Sequence, residues 1–292
     1  MSSPNRGSWK GARASARLAA RQSMKVKKWP DSLPVEMARV GLDLCAPFST
    51  KWYNDQIAEE HLKMAPIPNF GRKEQGALAY VVGGTRGFWQ RFLRHYNPKS
   101  AFVDRPGNAC GLTAFDAFVE EMIIEGLDRA QPPPHVKQHV YVARPLDADK
   151  DRVQLQRCAG LAGLCDIDPL TGLAVHPTYG AWVSLRAVVV FDLDGPEHRP
   201  RPCTATLADE DLDKAKGYLE KYEEQGATDY EDWHKVRCCL QRGEDHAFTD
   251  SQLLYYFVGD DPDRSKSLTK ALRFQSRFLD RQSVRASSGS RS

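Results

Sequence analysis

Nowhere in this chain do about eighteen apolar residues run together, and its N-terminus has no apolar stretch of the secretory kind, so neither a membrane-spanning helix nor an export signal is written into it. A cytoplasmic protein is the expectation. Cysteine is sparse and unpatterned: seven residues, an odd number, with no Cys-x-x-Cys. That excludes a disulfide framework and a thiolate zinc site, and reads as reduced thiols. The eight histidines are scattered. The nearest pair, His135 and His139, follows three prolines into an expected strand and reads as structural or solvated rather than metal-binding. Familiar catalytic signatures are missing too: no G-x-S-x-G, no H-E-x-x-H, no kinase set, and no phosphate loop of either common form. "DLDG" at 192–195 lacks the remainder of a calcium loop.

Acid is absent from the first thirty residues, which carry eight Lys or Arg. The net charge of +3 therefore hides a body of −5, which gives no support to a nucleic-acid groove. The basic head, with its Ser and Ala content, resembles an organelle transit peptide and so points to mitochondria; a basic tail on a cytoplasmic protein is the other reading. Residues 1–33 and 278–292 read as tails, since neither has the apolar surface to offset the entropy of ordering, and 34–277 as one domain.

The 41% of residues that are hydrophobic suffice for a sizeable core in that body. "GALAYVVGG" (76–84) reads as a buried strand, with Thr85 placed to cap the helix of "RGFWQRFLRHY". The glycine-rich turn between them reads as a plain turn. A helix is expected over 114–129, a strand over 136–144 after the prolines, and a helix over 151–164 whose small, glycine-bearing end allows close approach of a partner or a flat ligand. A strand at 181–191 follows, then helices capped at Thr206, Thr228 and Thr249, the last two with capping boxes to Glu231 and Gln252, and a final helix opening at Asp260 or Asp261 before Pro262. Without a strict βαβ rhythm, this order reads as α+β with helices around a modest sheet.

Arg186 sits inside the apolar strand at 181–191. Alternation would place it with Trp182, Ser184 and Val188 on one face, opposite Val183, Leu185 and Ala187. A guanidinium among hydrophobic neighbours needs an internal carboxylate or an anionic ligand, and its planar fork suits either.

"TGLAVHPTYGAWVSLRAVVV" (171–190) resembles the His-Pro-x-Phe/Tyr-Gly-Gly/Ala-Trp segment and arginine-bearing strand of the CblC family. Three other stretches are similar to that family in the same order: Trp52-Tyr53-Asn54, "ALAYVVGGTRGFWQRF", and "FTDSQLLYYFVGDDPDRSKSLTKAL". Together they span about residues 44–275. The resemblance implies a modified flavin-dependent nitroreductase-like fold with an antiparallel or mixed sheet and surrounding helices. It also implies a cyanocobalamin reductase and alkylcobalamin dealkylase that binds cobalamin with its lower base displaced. Glutathione would take the alkyl group, and FMN or FAD recharged by NADPH would drive loss of cyanide.

By the same resemblance, Arg186, Arg264 and Arg237 match glutathione-holding arginines, and Val153, Gln154, Leu155, Gln156 and Leu185 match corrin contacts. Ala174, standing where the family has a cysteine, completes that set. Gly160 stands where the family has a histidine, and "LCDIDPL" replaces a longer hairpin. The partners implied are a cobalamin-trafficking adaptor and methionine synthase, around a monomer or a ligand-induced homodimer, with neither nucleic acid nor membrane. Two other readings compete: a flavin- or thiol-dependent reductase of the same superfamily without corrin binding, and a non-catalytic trafficking adaptor. The arginines speak against the adaptor, which has no need of a thiol pocket.

Overall fold

A computed structural model describes residues 29–62, 64–95, 114–143, 153–204, 207–224, 230–240 and 243–257. Along the chain come α1 (Leu33–Arg39), β1 (Leu44–Ser49), α2 (Thr50–Glu59), β2 (Ala77–Gly84), α3 (Arg86–His95), α4 (Ala114–Ala130) and β3 (Gln138–Val142). Then follow α5 (Leu155–Leu161), β4 (Asp166–Ile167), β5 (Ala174–Val175), β6 (Ser184–Asp194), α6 (Asp209–Glu224), α7 (Tyr230–Cys239), a 3₁₀ turn (Glu244–His246) and α8 (Asp250–Phe257). The expected α+β class is what forms. β1, β2, β6 and β3 make an antiparallel sheet in the spatial order β1-β2-β6-β3, and β4 pairs with β5 in a separate two-stranded ribbon.

The two central strands are apolar on both faces because both faces are covered. Every residue of β2 is buried. On one side Leu78, Tyr80, Val82, Ala187, Val189 and Phe191 meet α1, α3 and α4 through Met37, Trp89, Phe92, Phe115 and Ile123. On the other, Phe48, Ala79, Val81, Val188 and Val190 meet α2 and α5 through Tyr53, Ile57, Leu155 and Cys158. A sheet covered on both sides cannot show the clean in-out alternation of a half-solvated one, which is why these strands read as continuous hydrophobic runs.

Strict alternation along the Arg186 strand fails, and the reason is local. The register of β2 on β6 steps from Val82↔Ala187 to Gly83↔Leu185, so Arg186 is the extra residue of a β-bulge. Leu185 joins Val188 and Val190 on the α2/α5 face, while Ala187 joins Val189 and Phe191 on the other. The Arg186 guanidinium lies 4.6 Å from the centre of the Phe115 ring, hence on the Ala187 face. Gly83 makes the bulge sterically feasible: a Cβ there would stand 2.7 Å from the Ser184 carbonyl oxygen and 3.1 Å from Leu185 Cα.

Other boundaries move for equally local reasons. β6 begins at Ser184, because the Trp182 amide donates to the Tyr179 carbonyl and keeps that stretch in a turn. The helix expected over 151–164 is only α5, closed by Gly163 at φ 63°. Thr85 does not cap α3 with its hydroxyl; that hydroxyl donates to Asp43 Oδ2 at 2.7 Å and its amide to Asp43 Oδ1 at 2.9 Å. Thr249 does cap α8, accepting from the Gln252 amide. Thr206, Thr228 and the helix expected from Asp260 lie outside the described residues.

Leu33 opens α1 and is fully buried, and the Trp29 ring meets Phe191 edge-on at 4.7 Å. Replacing Trp29 by Ala removes that partly buried ring, at a cost of about 2 kcal/mol. A thermal melt of the variant should show the midpoint lowered by about 5 °C, and an unchanged midpoint would mean that the ring contributes no packing.

Candidate functional site

The sheet face that carries α2 and α5 does not close over the β3 end. There the chain encloses a cavity of about 1490 Å³, bounded by β3, α5, the 64–69 loop, the β4–β5 ribbon and the start of β6. Drug-sized ligands occupy pockets of roughly 300–1,000 Å³, so this one suits something larger.

The Trp52-Tyr53-Asn54 stretch builds two of its walls. Trp52 and Tyr53 are buried in the core behind the cavity. The Tyr53 hydroxyl accepts from the Gln154 amide at 3.2 Å, which fixes the approach to α5. Burial raises the Tyr53 pKa, so the phenol stays protonated. Asn54 exchanges two 2.8 Å hydrogen bonds with Ile67, accepting from its amide and donating to its carbonyl, and so holds the proline-bearing loop over the opening. On α5, Arg157 donates through Nε to Gln154 Oε1 and grips Glu60 with both terminal nitrogens at 2.7 and 2.9 Å. Its fork holds the Glu60 carboxyl below the ordinary range.

All six corrin candidates line this one cavity: Val153, Gln154, Leu155 and Gln156 from α5 and its approach, Ala174 from β5, and Leu185 from β6. Arg237 on α7 lines it too, with its guanidinium 5.3 Å from the Phe248 ring centre. Arg186 is not part of this lining and packs on the opposite sheet face; Arg264 lies outside the described residues. The ribbon formed by "CDI" and "LAV" supplies Ile167 and Ala174, with its turn closed by Asp168, whose Oδ1 accepts from the Thr171 amide and hydroxyl at 2.7 Å each. Gly160 leaves room there, since a Cβ would come within 3.1 Å of Ile167.

Sequence reasoning missed the 64–69 loop, where the alternating prolines of "APIPNF" were the available signal for an extended strap. It named His139 only as structural or solvated and did not single out Tyr141; their rings lie 4.4 Å apart on β3 at the cavity wall. An edge strand's side-chain facing depends on its register against β6, which no local pattern carries.

The His-Pro motif is architectural. His176 and Gly180 exchange backbone hydrogen bonds at 2.8 and 2.9 Å, and His176 Nδ1 accepts from the Thr178 and Tyr179 amides at 3.1 and 3.3 Å. Gly243 presses against Tyr179, where a Cβ would sit 2.3 Å from its carbonyl carbon. Two donors on Nδ1 select the neutral ring, and burial lowers its pKa. The cysteines near the cavity are equally committed to packing. Burial pushes the Cys165 thiol up to about 12 and raises that of Cys158 as well, so neither forms a thiolate near neutral pH. No cluster of three or more His, Cys, Asp or Glu that could hold a metal ion occurs among the described residues.

No family model matches the sequence, and no curated protein matches it significantly. The solved structures do. The B12-trafficking protein CblC of C. elegans superposes with a TM-score of 0.54 at 15% identity, over 82% of this chain and 96% of that one. The chain shares its fold with CblC. Two epoxyqueuosine reductase structures, one of them from Streptococcus thermophilus, align less well, with TM-scores of 0.40 and 0.37 at 11% and 12% identity, each over 63% of this chain and 51% of the other. At those scores the likeness carries no functional weight. The CblC superposition covers most of both chains, so the fold that the resemblance implied is the fold observed.

Two outcomes follow from this geometry. The His176 pKa is lowered on folding, so below the ordinary value of about 6.5 the unfolded chain binds the proton more readily and stability falls with pH down through the folded pKa. His176→Asn keeps an acceptor for the two amides but does not titrate; melts between pH 7.5 and 5 should show a smaller loss for the variant than for the parent. Arg186→Met keeps the stem and removes the cation over Phe115, worth about 1 kcal/mol. Its melting midpoint should drop by a few degrees while ligand binding in the cavity is unchanged; weaker ligand binding at an unchanged midpoint would place Arg186 in the site instead.

Proposed function

We propose that this chain processes cobalamins, binding them in the β3–α5 cavity with the lower base displaced and removing the upper axial ligand. The observation that carries the reading is the convergence of all six corrin candidates, drawn from residues 153–185, on one cavity larger than a drug-sized ligand needs. The wall chemistry suits a corrin. Leu155, Leu185, Val153 and Ala174 offer an apolar floor, and Gln154 and Gln156 offer amides to the ring's amide periphery.

For an alkylcobalamin, the thiolate sulfur of glutathione attacks the alkyl carbon. The S–C bond forms as the Co–C bond breaks, and the electron pair of that bond stays on cobalt. The chain contributes position and exclusion of water. The thiol in this reading is a diffusible one, since among the described residues no cysteine lines the cavity and Cys158 and Cys165 are buried in packing. Of the three arginines nominated by resemblance, the proposal uses Arg237, which lines the cavity and can meet a glutathione carboxylate. For cyanocobalamin, a reduced FMN or FAD held in this cavity and recharged by NADPH would supply the electrons that release cyanide. Gln156, and the amide hydrogens of Gln154 whose oxygen accepts from Arg157, would be the groups available to the flavin's polar edge. Delivery of product to methionine synthase through a trafficking adaptor completes the role.

The test is spectroscopic. Methylcobalamin titrated with the full-length protein should lose the absorption of its base-on form, and glutathione should then convert it to the dealkylated product. Leu185→Trp, which fills the floor, should weaken corrin binding by tenfold or more, about 1.4 kcal/mol, with the melting midpoint held. A methylcobalamin spectrum unmoved by excess protein sinks the reading. If reduced flavin still binds in that case, a reductase without corrin chemistry takes its place.

A further inference from the structure

We propose that His139 is the base that takes the thiol proton of glutathione in this cavity, an inference that rests on the dealkylase reading above. Glutathione arrives mainly as a thiol, since a cysteine thiol ordinarily ionises near about 8.5, and the attacking species is the thiolate. Something must accept that proton. Among the described residues, the lining contains no Asp, Glu, Lys or Cys. It contains one histidine, and of the residue types present only histidine accepts a proton near neutral pH.

The facing of His139 follows from register. His139 pairs with Val190 and Tyr141 with Val188, and those two valines belong to the α2/α5 side of the sheet. Cross-strand partners share a face, so the His139 ring projects on the cavity side, where it meets the Tyr141 ring at 4.4 Å. It is exposed rather than built into the core, which leaves its nitrogens able to reach a ligand. Among the described residues, the charged groups around it are few. β6, the described strand paired with β3, sets valines opposite His139 and Tyr141, and carries Asp192 further along, where its amide donates to the Lys137 carbonyl. Across the cavity stand Arg157, neutralised by Glu60, and Arg237. The 64–69 loop brings no titratable side chain.

The step balances without an added oxidant or reductant. The S–H proton passes to the imidazole, the sulfur lone pair forms the S–C bond, and the Co–C electron pair remains on cobalt; the imidazolium then releases its proton to water. Since about 3% of a free thiol is ionised at pH 7, full deprotonation by a positioned base is worth up to about thirtyfold there.

The experiment follows methylcobalamin dealkylation by saturating glutathione in the full-length protein from pH 6 to 9.5. His139→Gln should bind methylcobalamin with the wild-type spectrum and affinity. Its turnover at pH 7, where about 3% of a free thiol is ionised unaided, should be about thirtyfold lower, and the deficit should shrink as rising pH supplies thiolate from solution. His139→Ala should regain activity at pH 7 when imidazole is added. A deficit of equal size at every pH, no deficit, or failure of imidazole to rescue overturns the assignment of His139 alone. A wild-type protein that leaves the methylcobalamin spectrum unmoved overturns the cobalamin reading and this one with it.

Discussion

The bulge at Arg186 is the constraint on which the site depends. One extra residue in β6, admitted because Gly83 has no side chain, turns Leu185 toward the cavity and Arg186 toward Phe115. Upstream of it, Val183 and Leu185 face α5; downstream, Val188 and Val190 continue that face while Ala187 and Val189 pack under α1, α3 and α4. Without the extra residue, the same sequence would present a guanidinium to the cavity and a leucine to the aromatic cluster. A single inserted residue thus decides which chemistry each side of the sheet receives.

Much of this was legible from sequence, in a way that sorts by range. Buried strands such as "ALAYVVGG" and long helices such as α4 announce themselves through composition and period. The corrin candidates were nominated by resemblance, and what the fold adds is that stretches 153–156 and 174–185 come together on one cavity. What escaped was set by register and by long-range anchoring. The bulge arises between β2 and β6, about a hundred residues apart in the chain, and the Asn54–Ile67 pairing joins a helix to a loop through one side chain. Thr85 shows the same limit: its place before a helix suggested a cap, but Asp43, remote in sequence, claimed its hydroxyl.

The cavity's polar character is uneven in a telling way. Its carboxylate neighbour, Glu60, is consumed by Arg157, and the nearby Cys158 and Cys165 are sealed in packing, so what the described residues present to the cavity is shape, amides and a small number of basic groups. A site so constituted leaves the difficult electronics to what it binds.

The strand order leaves β3 outermost among the described strands, with His139 to Val142 lining the cavity. A bare sheet margin is a template for stray chains, and a binding site cannot be roofed over to prevent this. Here the residues entering the strand, His135, Lys137 and Gln138, are exposed and polar, and a lysine at such a margin discourages stacking. Polarity and one positive charge at the mouth of the strand thus work against the adhesion that an outermost strand invites.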